Sequence, residues 1–495
     1  MRTTRRGFLG AGAVGIAGSV VSGACGTPSM PAHQMSSMTK KRFVMPTNAP
    51  VRVRKSVWDL SDAELQTLCK AVAYMRNEYL VSDNRKWENY AKIHAWHCTG
   101  EAGADPHGVL QVHWSWHFLP WHRGYIYFLE RILAQALKDQ HLDDTTFAYP
   151  FWDWTVHQEM PNTKTRAAKG LASPLWGYDL TQENMVNADT LGFDNLALFN
   201  GNRGPSLTKS TMSPDNEMTA DSKAHIREAM AYLSAPYINL ALTLPWEEFG
   251  GKIDIARTSQ GILEAGPHND GHDWCGTRFG SNRDMGTLKF AAQDPIFFMH
   301  HGNIDRIFSL YPGQMPDLDG PWGQQTYDYT DADGSTVTVS VKEIMTTMTA
   351  AVKYAVPSDN ALVVPTRTRS AGTPRAFAVG SAAARFGQAT AQQPLTITVA
   401  APPATAPTGV YVMTIETSPL HRRGRARIDI TSGSTKLGRI KLLDGDTPAS
   451  TAFQSHTFRI MLTSVPNATA FPVTFTPTGF DGVVEIRSVE LTRFE

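Results

Sequence analysis

His113–Arg123 reads HWSWHFLPWHR, with three histidines, three tryptophans and a proline in eleven residues. Imidazole in so apolar a run is costly to bury unless a hydrogen bond or a metal ion takes up its ring nitrogens. A second run of this kind, DPIFFMHHGNID, spans Asp294 to Asp305, and PHNDGH lies between the two at Pro267 to His272. With His94, these pieces carry enough imidazole for one site holding two metal ions.

The rest of the composition narrows the class. At 495 residues the chain is too long for one ordinary core, so two folded parts and a leader are expected. Its 46 basic and 46 acidic residues cancel, and no basic patch points to nucleic acid or to a membrane surface. No apolar run reaches the roughly 20 residues that span a bilayer, so no transmembrane helix is expected. Thr4-Arg5-Arg6-Gly7-Phe8-Leu9 precedes a Gly/Ala/Val stretch ending at Ala24, which resembles a twin-arginine export signal over residues 1–25. A periplasmic or secreted location follows as an expectation, with Cys25 as an alternative lipid anchor. The cysteines Cys25, Cys69, Cys98 and Cys275 match neither a zinc pattern nor a disulfide scaffold, and a Cys69–Cys275 pair stays open.

Residues 26–50 read as a Pro-, Ser- and Met-rich tether. Ser61-Asp62-Ala63-Glu64 predicts a capping box, followed by Leu65, Leu68, Cys69, Val72 and Met75 at helical spacing. Further helices are expected over Trp87–Trp96, from about Pro120 through Leu133, over Ala220–Leu233, and from the Asp294-Pro295 start to about Leu310. YPFWDW at 149–154 is too aromatic for a surface loop, whereas 155–220 reads as irregular. Residues 358–393 are rich in small and polar residues and read as a linker. Beyond it, period-2 runs at 395–399, 410–415, 426–430, 439–443, 457–462, 473–475 and 483–491 predict an all-β sandwich or barrel.

His268 and His272 stand four apart, a spacing that places both rings on one helix face. One such pair decides little, since His113 and His117 share the spacing and His117 reads as a packing residue. The whole constellation is more specific. Imidazole-only sites suit copper, zinc or iron, with copper highest in the affinity order, and no HExxH motif points to a zinc protease.

AKIHAWHC at 91–98, LQVHWSWHFLPWHR at 110–123 and DPIFFMHHGNIDR at 294–306 closely resemble the tyrosinase, catechol oxidase and haemocyanin family of type 3 copper proteins. The likeness covers about residues 50–355, is nearest to plant and some bacterial polyphenol oxidases, and extends to PHNDGHDW at 267–274 and YPFWDW at 149–154. It implies a mainly α dicopper domain built on an antiparallel four-helix bundle over 51–357. A C-terminal all-β sandwich over 394–495 would resemble the shielding domain of latent enzymes. The implied cofactors are two copper ions, with O2 as co-substrate. The implied activity is oxidation of o-diphenols to o-quinones, with o-hydroxylation of monophenols. An o-aminophenol oxidase, a catechol oxidase and a haemocyanin-like carrier are the alternatives.

Carried over by position, His94, His113 and His122 would hold the first copper, with His97 as rival to His94. Cys98 follows His94 as in the plant-type motif and would form a thioether with His113. His268, His272 and His301 would hold the second copper, leaving His300 to packing. Asp305 would accept the remaining N–H of a ligand ring. Glu264 and Asn269 resemble the pair that holds a water near the second copper and helps take the phenol proton. Leu288 would stand at an open gate, and Asp273 would put a carboxylate at the pocket mouth. Arg52, Arg54 and Tyr354 resemble the motifs that tie the domain's ends together. Small phenols are the expected partners.

Overall fold

Ser61 caps the first long helix as its sequence dictates: Ser61 Oγ accepts from the Glu64 amide at 3.2 Å, and Glu64 Oε2 accepts from the Ser61 amide at 2.8 Å. The computed structural model describes residues 40–47, 49–99, 112–156, 197–198, 228–253, 258–278, 281–282, 284–372, 375–378, 384–386, 394–400, 409–418, 422–442, 455–462, 465–466, 468–480 and 484–495. The stretch expected to be an export signal, most of the expected tether, most of 155–220 and the start of the helix expected over 220–233 lie outside that set, as does the Cys98 side chain.

Five helical segments carry the histidine-rich region. They are α1 (Asp62–Asn77), α2 (Trp87–Thr99), α3 (Phe118–Asp139), α4 (Asn269–Gly276), entered through a π-turn at Glu264–His268, and α5 (Ile296–Ser309). Leu65, Leu68, Cys69, Val72 and Met75 all face inward from α1, which packs on α3. Helix α3 is buried around nearly its whole circumference and packs on α5 as well. It starts two residues ahead of Pro120. The proline still sits within the first turn, where its missing N–H breaks no intrahelical bond. Asp294 Oδ1 accepts from the Ile296 amide at 3.0 Å and starts α5.

Segment 318–340 folds into a hairpin of Thr326–Thr330 and Thr336–Ser340, with Lys41–Arg42 added in parallel. It turns through Gly334 at φ +81°, a conformation glycine adopts without strain. Tyr329 from the hairpin donates to the Trp121 carbonyl at 2.9 Å and fits against α3 only because residue 124 is glycine; a Cβ there would stand 2.5 Å from the Tyr329 hydroxyl.

The seven C-terminal runs all form strands, arranged as a two-sheet sandwich. One sheet runs Leu395–Ala400, Ala470–Phe480, Arg422–Ser432, Thr435–Leu442. The other runs Ala384–Phe386, Val484–Phe494, Val410–Thr417, His456–Met461 and finally Thr258–Gln260. That last strand pairs in parallel with His456–Phe458 and belongs to the histidine-rich region, ending four residues before the π-turn begins. Arg375–Ala378 also pairs with Val484–Phe494. The segment read as a linker therefore supplies two short strands to the sandwich. Small residues there fit an edge position as readily as a tether. Residues 37–495 form one compact unit.

The two ends of the helical region meet as expected. Arg52–Arg54 pairs in parallel with Val352–Tyr354, and Arg54 Nη1 donates to the Tyr354 hydroxyl at 2.8 Å. Arg54 is 1% exposed and also reaches Glu130 and Asp305 at 3.2 Å. Burial alone would lower its pKa, but Glu130, Tyr354 and Asp305 hold it above the ordinary value. Asp305 therefore does not serve a ligand ring: its oxygens accept from Arg123 Nε at 2.5 Å, from Arg54 and from Tyr354. Two guanidinium groups outcompete an imidazole N–H for a buried carboxylate. Cys69 and Cys275 are both buried in the helical core and are not joined to each other.

Replacing Arg54 with methionine strands the buried carboxylate of Glu130 and leaves Asp305 to Arg123 and Tyr354. Destabilisation of about 3–5 kcal/mol in urea unfolding is expected, since removing one partner of a buried ion pair leaves a charge uncompensated.

Candidate metal centre

The histidines of the separated motifs meet at one buried locus. His94 comes from α2, His113 from the loop ahead of α3, His122 from α3, His268 from the π-turn, His272 from α4 and His301 from α5. All six are at most 2% exposed. Ring nitrogens of His94, His113 and His122 all lie within 4.8 Å of one another. The two halves adjoin: the His122 and His301 rings stack at 4.5 Å, and the His113 and His268 rings at 5.3 Å.

A backbone or amide oxygen stands behind five of the six rings. His94 Nδ1 faces the Leu288 carbonyl at 3.1 Å, His122 Nδ1 that of Phe118 at 2.8 Å, His272 Nδ1 that of Met285 at 2.7 Å and His301 Nδ1 that of Phe297 at 2.8 Å. His268 Nδ1 faces Asn269 Oδ1 at 2.9 Å. An acceptor at Nδ1 places the proton there and leaves the Nε2 lone pair pointing inward. The Nε2 atoms of His122, His268, His272 and His301 are buried and make no hydrogen bond within the described residues. Burial, reinforced by the neighbouring rings, holds the pKa values well below the ordinary histidine value. His122 is lowered to about 3 and His272 to about 4. The rings are therefore neutral at physiological pH, the form a metal ion takes. Nitrogen-only donors in two adjoining sets fit a pair of copper ions.

By proximity alone, it is His300 whose ring nitrogen groups within 4.8 Å of those of His268 and His272. Its nitrogens are already committed. Trp154 Nε1 donates to His300 Nδ1 at 3.1 Å, and His300 Nε2 lies 3.2 Å from the His268 carbonyl. One tautomer satisfies both bonds, so His300 braces His268 from behind. Gly271 makes room for it, since a Cβ there would stand 2.2 Å from the ring. His301, whose buried Nε2 makes no hydrogen bond within the described residues, fits the third donor position expected from the sequence. His117 lies outside the cluster, stacked on Trp116 at 3.8 Å with Nδ1 2.9 Å from the Tyr327 hydroxyl.

The remaining sequence candidates fall close by. Glu264 Oε1 accepts from the Trp114 amide at 2.5 Å, linking the π-turn to the residue after His113. Asn269 orients His268 and also donates from Nδ2 to the Lys441 carbonyl at 3.1 Å. Leu288 is fully buried and contributes its carbonyl to His94. Asp273 does not stand at an open mouth. It is 1% exposed and paired with Lys441 Nζ at 2.5 Å, which also reaches Asp270 at 2.7 Å. Arg439 closes the same cluster onto Asp270 and Glu228. Lys441 and Arg439 belong to the Thr435–Leu442 strand of the sandwich, and sequence reasoning missed both. In KLGRIKLL the charges alternate with apolar residues, which reads as a solvated strand face.

Residues 84–314 match the common central domain of tyrosinase. This histidine-rich region belongs to the tyrosinase and polyphenol oxidase family of type 3 dicopper proteins. The chain is 30% identical over 337 residues to polyphenol oxidase A1 of Vicia faba, covering 66% of this chain and 52% of that protein. It is 32% identical over 298 residues to aureusidin synthase of Antirrhinum majus, covering 58% and 46%. The chain thus spans about half the length of the curated relatives it matches. Among solved structures it is similar to a latent aurone synthase, with a TM-score of 0.66 at 21% identity over 93% of both chains. A latent apple tyrosinase gives 0.59 at 20% identity, over 92% of this chain and all of that one. These likenesses extend the family fold through the sandwich.

His301→Ala is expected to lower copper content to about one ion per chain, whereas His300→Gln keeps two. Elemental analysis of the copper-loaded proteins, set against their protein concentration, reads the difference.

Proposed function

We propose that this protein is a dicopper polyphenol oxidase that oxidises o-diphenols to o-quinones and o-hydroxylates monophenols, reducing O2 to water. The observation that carries the reading is the inward-facing set of buried, neutral Nε2 atoms, each oriented by an oxygen behind its ring. His94, His113 and His122 would hold one ion and His268, His272 and His301 the other. When bound, the copper pair supplies the site for O2 and the electron-accepting capacity; two diphenols reduce one O2 to two waters.

The protein's own residues account for the rest of the reading. Glu264 is the carboxylate to which this reading assigns the phenol proton; its position one turn before His268 and its tie to the loop of His113 support that role. Asn269 fixes the His268 ring while reaching the sandwich. The rings are almost inaccessible to solvent, which supports a latent form in which the sandwich covers the site. The Cys98–His113 thioether and the twin-arginine export route belong to the same proposal, carried by the sequence motifs. Peptide mapping and signal-peptide fusion test them.

Oxygen uptake by the copper-loaded chain should occur with both a monophenol and its matching o-diphenol, given separately, before or after limited proteolysis. Glu264→Gln should lower monophenol turnover by about 10²-fold, the scale of general base catalysis, and spare diphenol turnover. Uptake with the diphenol alone would make the protein a catechol oxidase. Bound copper with uptake from neither would favour an oxygen carrier. Asp273→Asn should leave the ranking of neutral and amine-bearing phenols unchanged, because Lys441 already takes up its charge; steady-state kinetics across such a series checks this.

A further inference from the structure

Trp114 follows a metal-site histidine in sequence, yet its side chain belongs to the core of the other domain. The indole is 1% exposed and is buried with Met413, Ile415, Phe458 and Ile460 of the sandwich. Its ring meets His456 edge-on at 5.1 Å and Phe458 at 5.7 Å. Its backbone is held at both ends: the amide donates to Glu264 Oε1 at 2.5 Å, and the carbonyl accepts from the Ser259 amide at 2.6 Å. Ser259 lies in the strand that joins the sandwich sheet beside His456 and Phe458.

Trp114 also has φ +57°. A bulky residue in the left-handed region is strained, and such a conformation persists only where its surroundings over-determine it. Here the surroundings are the sandwich core on the side-chain side and Glu264 with Ser259 on the backbone side. The neighbour on the chain is His113, whose ring closes the first triad against His94 at 5.2 Å and His122 at 5.1 Å.

We infer that Trp114 is a positioning residue through which the sandwich sets His113, making the C-terminal domain a structural part of the first copper site as well as its cover. The inference rests on reading the histidine cluster as a dicopper site. It acts through a side chain that touches neither metal nor substrate. Placing the indole in the sandwich core fixes the left-handed turn, and the turn aims His113 at His94 and His122. The second triad has its own link to the sandwich through Asn269 and Lys441, so loss of the Trp114 contact should empty one site selectively.

The test uses the full chain and compares Trp114→Ala, Trp114→Phe and Trp114→Asn, with Phe458→Ala made on the sandwich side. Copper per chain is measured by elemental analysis, and the cupric form by electron paramagnetic resonance. Two adjoining cupric ions couple and give no signal, whereas a single one does. Full loading of the unaltered chain is the control; if that fails, the dicopper reading falls, not this inference. Trp114→Ala and Trp114→Asn are expected to hold about half the copper and show a single-ion signal. Asparagine tolerates the turn but lacks the ring. Trp114→Phe should keep full, silent copper, because the indole Nε1 makes no hydrogen bond within the described residues. Phe458→Ala should move in the same direction as Trp114→Ala, and the double variant should be no worse than Trp114→Ala. Full silent copper in the alanine and asparagine variants overturns the inference. So does equal loss from both sites, which would mark general unfolding.

Discussion

A carbonyl behind a ring is the contact on which the centre depends. An imidazole has two nitrogens and, when neutral, one proton. Whichever nitrogen finds an acceptor keeps the proton, and the other becomes a ligand. Leu288, Phe118, Met285 and Phe297 supply that acceptor from the main chain and Asn269 from its side chain. In α3 and α5 the acceptor lies one turn back on the same helix, so the helix itself sets the tautomer. His94 and His272 take theirs from the 285–288 segment, which makes a short, irregular stretch structurally indispensable although it carries no histidine.

Around the centre, buried charge is neutralised in separate places, two of them clusters of several groups. Behind it, Arg54 and Arg123 meet Glu130 and Asp305. Toward the sandwich, Lys441 and Arg439 meet Asp270, Asp273 and Glu228. Buried ion clusters contribute little net stability, but each is costly to leave half-formed. They act here as registration devices. The first joins the ends of the helical region, and the second fixes one sandwich strand against the helix that carries His272.

The elements legible in the sequence were those set by local pattern. The Ser61 capping box, the period-2 strands and the histidine motifs all express constraints within a few residues. The preference for His301 over His300 comes from family likeness, and what favours it physically is tertiary: Trp154 and the His268 carbonyl occupy both nitrogens of His300. Asp273 and Asp305 misled for a related cause. A carboxylate beside a histidine suggests a role at the metal, but the guanidinium or ammonium that claims it lies far away in the chain. Trp114 read as one more apolar residue in an aromatic run, since nothing local reveals that its indole belongs to another domain.

The parallel strand Thr258–Gln260 has a consequence for the sandwich on its own. It covers the backbone of His456–Phe458, in the outermost strand that the C-terminal domain itself supplies to that sheet. Without it, that edge would present unpaired amide and carbonyl groups, a template for strands from other molecules. The same short segment that leads into the π-turn of His268 thus protects its partner domain from aggregation. A sandwich cut away from the helical region would be an adhesive fragment, and keeping the two together has value for solubility apart from anything that happens at the metals.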